Sequence, residues 1–188
     1  MALKTIVKVG EITNLSDARY CAGMGVEMLG FNLDPNSESY ISPKKFKEIT
    51  DWVAGVKFVG EFGSMNQDDI LSTIKEYNLN FIEVSTSNAE IIFKTDIPII
   101  LSVNDNDSIK SLPDGAVFYL VDSANINPGD IGSLQVLVGG GILKQDLDSI
   151  LRNASVKGIA LKGSKEDNTG FKDYDELADI LEELEIAD

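Results

Sequence analysis

Histidine is absent from all 188 residues, so proton transfer near neutral pH must fall to carboxylates, lysines or tyrosines. The one cysteine, Cys21, sits beside Ala18 and Ala22 on a helix-patterned stretch and reads as a buried thiol, and no disulfide can form within the chain. The missing histidine also removes the commonest zinc ligand, and no metal or cofactor is expected, with a metal or amine site at a cluster of Glu61, Glu83 and Asp122 as the alternative. Four acidic residues stand in or at the ends of short apolar runs: Glu11 after Ile6 to Gly10, Glu61 in Val56 to Phe62, Glu83 in Phe81 to Val84, and Asp122 after Ala116 to Val121. If Glu61, Glu83 and Asp122 share one cavity, their mutual repulsion raises one carboxyl above its ordinary range, which is how acid catalysts are made. Pairing of Glu61 and Glu83 with Lys57 or Lys8 is the alternative.

Glycine supplies the second kind of chemistry. Gly139-Gly140-Gly141 closes one apolar run and Gly163-Ser164 closes another, and backbone N–H groups at such turns can approach an anion closely. These five residues form a candidate phosphate cradle, with a helix amino end after Gly141 adding partial positive charge. Lys162, next to Gly163, is the candidate ligand-contacting cation.

The elements that carry these residues alternate. Apolar runs of strand length occur at Ile6–Val9, Met28–Phe31, Val56–Phe62, Phe81–Val84, Ile97–Val103, Ala116–Val121, Leu134–Val138 and Lys157–Leu161. Between them, Thr13 or Asn14 opens a helix carrying Leu15, Ala18 and Ala22, and Ser42 caps one that begins at Pro43. Asn66 or Gln67 opens the next, a short helix covers Ala89 to Phe93, and Asp105 to Leu112 is weakly helical. Lys144–Arg152 and Tyr174–Leu184 are the last two helices. Ser123 to Ser133 has turn residues and no helical stripe, so the helix after strand six is expected to be reduced to a loop.

Eight short strands alternating with helices imply a parallel sheet, and eight is the number that closes into a barrel. A small single-domain (β/α)8 TIM barrel spanning residues 1–188 is the expected fold. The rival, a doubly wound open sheet, calls for a G-x-G-x-x-G turn that the loop after Val9 lacks.

The balance of 16 basic against 31 acidic residues gives a net charge of -15, which excludes nucleic acid and anionic membranes as natural partners. No basic and apolar leader precedes Ile6 and no apolar run approaches the roughly 20 residues of a membrane span, so a cytoplasmic location is expected.

The order of these motifs resembles a known family. Lys8 to Arg19, Leu29 to Phe31 and Ser37 to Pro43 are similar to the first unit of the phosphoribosylanthranilate isomerases, which reads roughly K-I-C-G-I-T-x-x-x-D-A, then L-G-F, then S-P-R-Y-V-S-P. Val136 to Ile142 resembles that family's I-L-A-G-G-L, and Gly163 to Glu166 with Gly170 to Asp173 resembles S-G-V-E followed by G-x-K-D.

The resemblance implies an Amadori rearrangement of a phosphoribosyl-amine in tryptophan biosynthesis, a small sugar-phosphate ligand, and Asp122 as general acid. A homodimer is left open. The family's cysteine, its base, is replaced by Gly10, and its arginine before the tyrosine by Ser39. Glu11 is the nearest substitute base, provided the strand has ended before it, because successive strand residues face opposite sides; a buried or helix-facing Glu11 paired with a lysine is the alternative. The family's glutamine and histidine on strand four become Glu83 and Ser85, with Glu83 a candidate ligand contact. A barrel that is non-catalytic or repurposed for a different phosphorylated or amine ligand is the alternative.

Overall fold

The computed structural model describes residues 2–103, 111–123, 133–162, 166–168, 171–172 and 175–186. Eight parallel strands pair in chain order: β1 (Ile6–Gly10), β2 (Met28–Asn32), β3 (Lys57–Glu61), β4 (Phe81–Ser85), β5 (Ile99–Ser102), β6 (Phe118–Asp122), β7 (Val136–Gly139) and β8 (Val156–Lys162). β8 returns to β1, with Ile6 opposite Gly158 and Gly10 opposite Lys162, and the sheet closes into a barrel. This is the (β/α)8 architecture that the alternation of apolar runs predicts.

The two faces of each strand have separate tasks. One set of side chains, among them Val7, Val9, Leu29, Phe31, Val84 and Leu101, packs outward against the helices. The other set fills the barrel: Met28, Val59, Ile100, Phe118 and Leu137 make an interior layer, flanked by Ile6, Phe81 and Leu120. Toward the carboxyl ends of the strands the interior turns polar, with Lys8, Glu61 and Glu83.

Local chemistry starts the helices where the sequence says it should. α1 (Leu15–Gly23) is capped by Asn14, whose side-chain oxygen accepts from Asp17 N–H at 2.9 Å. α2 (Pro43–Thr50) is capped by Ser42 with Pro43 in its first turn, and α3 (Gln67–Thr73) by Asn66, which accepts from Asp69 N–H at 3.0 Å. Cys21 is buried on α1. α2 docks through an aromatic cluster in which Phe46 meets Phe31 and Tyr77 edge-on, with ring centroids 5.0 and 5.3 Å away.

The later helices depart from expectation. The stretch after β4 is a 3-10 helix, Thr86–Phe93, interrupted at Asn88 (φ -108°, ψ 18°), whose side-chain amide donates to the Met65 carbonyl at 2.9 Å. The helix predicted over Lys144–Arg152 begins as a 3-10 turn, Lys144–Asp146, and becomes α-helical only over α4 (Leu147–Leu151). An antiparallel pair, β9 (Glu166–Asn168) and β10 (Phe171–Lys172), precedes α5 (Asp175–Glu183), where no strand was expected. The weak helix expected over Asp105–Leu112 and the loop expected after strand six fall mainly on residues 104–110 and 124–132, outside the described residues. Among the described residues no helix is long and apolar enough to cross a membrane.

Candidate active site

The barrel opens at the carboxyl ends of its strands into a cavity of about 860 Å³. Its wall includes the last residues of β1, β3, β6, β7 and β8, namely Gly10, Glu61, Asp122, Gly139 and Lys162. Among the described residues, five carboxylates (Glu11, Glu61, Glu83, Asp122, Glu176) and two lysines (Lys8, Lys162) line it.

Lys8 is the electrostatic centre. It lies two residues before Gly10 on the same strand face, so a Gly10 that faces the cavity commits Lys8 to the barrel interior. Its side chain is 4 % exposed and donates to Glu61 Oε1, while Glu83 Oε2 lies 2.8 Å from the same ammonium. Burial alone would lower the Lys8 pKa, but attraction to Glu61 and Glu83 outweighs it and holds the ammonium well above the usual lysine range. The Glu83 carboxyl is pushed up, mainly by burial and also by the charge of Glu61, against the opposing pull of Lys8. Pairing with Lys8, the alternative weighed for the two glutamates, is therefore what the fold makes, and both still face the cavity.

Glu11 turns on its backbone. β1 ends at Gly10, and Glu11 takes φ +57°, the left-handed region that side chains other than glycine rarely adopt. The turn brings Glu11 to the cavity rim, where Lys162 Nζ donates to its Oε1 at 3.1 Å and its own N–H donates to Glu61 Oε2 at 3.1 Å. The Lys162 side chain is 79 % exposed, so this rim pair is worth ~0–1 kcal/mol.

Asp122 closes β6, in register with Gly139 on β7. Gly140 has φ +73°, and a Cβ there would collide with the Asp122 carboxylate. Glycine is required at that position both by the turn and by the close approach of the acid. Gly139 is buried against Leu120, whereas Gly141 has open space around it. The helix amino end expected after Gly141 is only a 3-10 turn, and its Leu143 N–H is already taken by Asp146 Oδ2 at 3.2 Å. Gly163 and Ser164 lie outside the described residues.

The sequence reading treated Lys8 only as a pairing partner and left out Asn32, Ser102 and Glu176 on the cavity wall. The signal for Lys8 was present: a lysine in phase with Gly10 inside an apolar strand. Ser39 does not line the cavity; its N–H donates to Ser37 Oγ at 3.2 Å within the loop after β2. No group of three or more metal-ligating side chains occurs among the described residues.

No family model matches the chain. A curated relative, the N-(5'-phosphoribosyl)anthranilate isomerase of Maridesulfovibrio salexigens, is 24% identical over 200 residues, covering 94% of this chain and 96% of the relative. The crystal structure of phosphoribosyl anthranilate isomerase from Thermus thermophilus superposes with a TM-score of 0.77 at 23% identity, covering 95% of this chain and 98% of that one. Along nearly its whole length the chain is similar to phosphoribosylanthranilate isomerases. A further isomerase structure, in complex with reduced 1-(o-carboxyphenylamino)-1-deoxyribulose 5-phosphate, matches with a TM-score of 0.71 at 21% identity over 96% of this chain and 98% of that one. The chain shares with these structures a closed (β/α)8 barrel, and its own barrel mouth is rich in carboxylates.

Proposed function

We propose that the protein is a phosphoribosylanthranilate isomerase of tryptophan biosynthesis, acting in the cytoplasm without a cofactor on N-(5'-phosphoribosyl)anthranilate or a close phosphoribosyl-amine. The observation that carries this reading is Asp122. It ends β6 and lines the cavity, three strands around the eight-stranded ring from Gly10. In this role Asp122 donates a proton to the ribose ring oxygen as the C1–O bond breaks and the amine nitrogen forms a C=N bond to C1. A carboxylate on the opposite wall then removes the C2 proton, giving the enolamine that collapses to the ketose-amine.

The glycines at the end of β7 would hold the phosphate through their backbone N–H groups, with Lys162 on the same cavity wall. The likeness to an isomerase solved in complex with reduced 1-(o-carboxyphenylamino)-1-deoxyribulose 5-phosphate supports a ligand of that size and charge. Steady-state turnover of N-(5'-phosphoribosyl)anthranilate by the purified protein tests the reading. Wild-type activity with Asp122→Asn lowering kcat by roughly 10²- to 10⁴-fold is expected. A wild-type rate no higher than the variant's would end the assignment for this substrate.

A further inference from the structure

We infer that Glu61 is the general base of this isomerase, reaching from the third strand into the volume that a side chain on the first strand would fill. The inference rests on the isomerase reading given above. A Cβ added at Gly10 would lie 2.5 Å from Glu61 Oε1 and 3.2 Å from Lys8 Nζ, and one added at Gly30 would collide with the same carboxylate oxygen. Two glycines on neighbouring strands thus vacate one space, and a carboxylate from the third strand occupies it. Phe31 of β2 pairs with Gly60, and Asn32 with Glu61, so Glu61 has only to cross β2 to arrive beside Gly10.

The carboxylate is held on both oxygens. Lys8 Nζ donates to Oε1, and Glu11 N–H donates to Oε2 at 3.1 Å. Each carboxylate oxygen has two lone-pair directions, so each keeps one for a substrate C–H proton after accepting a single hydrogen bond. The Glu61 side chain is 12 % exposed and lines the cavity, which puts it within reach of a ligand and away from bulk water. β3 and β6 are three strands apart in the ring, so Glu61 and Asp122 address a bound sugar from different sides.

The other two glutamates are worse placed. Glu11 sits at the rim with Oε1 engaged by the exposed Lys162, and Glu83 Oε2 is sealed from solvent against Lys8. The unusual left-handed backbone at Glu11 also has a purpose in this arrangement, since it aims the Glu11 N–H at Glu61.

The step balances without any co-reactant. After ring opening, Glu61 takes the C2 proton, the C–H pair becomes the C1=C2 bond, and the C=N pair moves to nitrogen. Glu61 then returns its proton to C1 as the enol closes to the C2 ketone, its hydroxyl proton passing to solvent while Asp122 regains one.

The test uses the full chain and N-(5'-phosphoribosyl)anthranilate. Glu61→Gln is expected to lower kcat by roughly 10²- to 10⁴-fold with little change in KM. Wild-type turnover that survives Glu61→Gln but not Asp122→Asn, or that fails with Glu11→Gln instead, overturns the inference and leaves the isomerase reading standing. No wild-type turnover overturns both. If Glu61→Gln folds poorly, Gly10→Cys combined with Glu61→Ala places a thiol in the same volume. Recovery of about tenfold or more over Glu61→Ala alone supports a base at that point, and no recovery overturns it.

Discussion

Lys8 carries the electrostatic load of the barrel mouth, and two glutamates depend on it. With Lys8 removed, Glu61 and Glu83 face each other in a largely closed space without compensation. Lys8→Met should therefore destabilise by about 3–5 kcal/mol, read from urea unfolding, and adding Glu61→Gln and Glu83→Gln should return much of the loss. Glu83 gives the pH dependence. Its folded carboxyl is raised above the ordinary 4.5, so between the two values the native state binds more protons than the unfolded chain. That contribution is complete below the unfolded value and is lost as pH rises through the folded one. Glu83→Gln has no charge to desolvate, so its melting temperature should gain on the parent's as pH goes from 5 to 8. At this scale the sequence was half legible. The glutamates and a lysine partner could be named from it, but the direction in which Glu11 points depends on one backbone torsion at the end of a strand.

At the scale of elements, short-range chemistry was the readable part. Asn14, Ser42 and Asn66 cap their helices through hydrogen bonds to residues three positions on, so the residues that decide these starts are neighbours in the chain. Ser42→Ala should cost about 1 kcal/mol in chemical denaturation, the worth of a helix cap. The 3-10 geometry after β4 was not readable, because Asn88 is fixed by a carbonyl 23 residues away. Closure of the barrel has its own weak point. A Cβ at Gly158 would run into the Ile6 backbone where β8 meets β1. Gly158→Ala is expected to destabilise by roughly 1–3 kcal/mol, as an overpacking change that forces the seam apart, and calorimetry would check it.

For the molecule as a whole, the fold was the most legible property, since eight apolar runs alternating with helical stretches leave few ways to bury both sheet faces. The site was less so, because it joins residues from strands far apart in sequence, and which of them face inward follows from register. Charge acts at this scale too. A net charge of -15 repels a phosphorylated ligand at long range. Raising ionic strength from about 10 to about 150 mM shrinks the Debye length from roughly 30 to 8 Å, so KM for an anionic substrate should fall over that interval; a rise would show that local lysine contacts dominate.

Gly10, Gly30 and Glu61 share one space, in which a Cβ at either glycine would run into the Glu61 carboxylate. Returning a side chain to Gly10 before shortening Glu61 is penalised, whereas shortening Glu61 first removes the contact with its carboxylate. The mouth of this barrel is thus an instance of sign epistasis written in van der Waals radii: a lineage that moves a side chain from the third strand to the first passes most easily through a shortened Glu61, and a library that varies Gly10 alone meets the clash first.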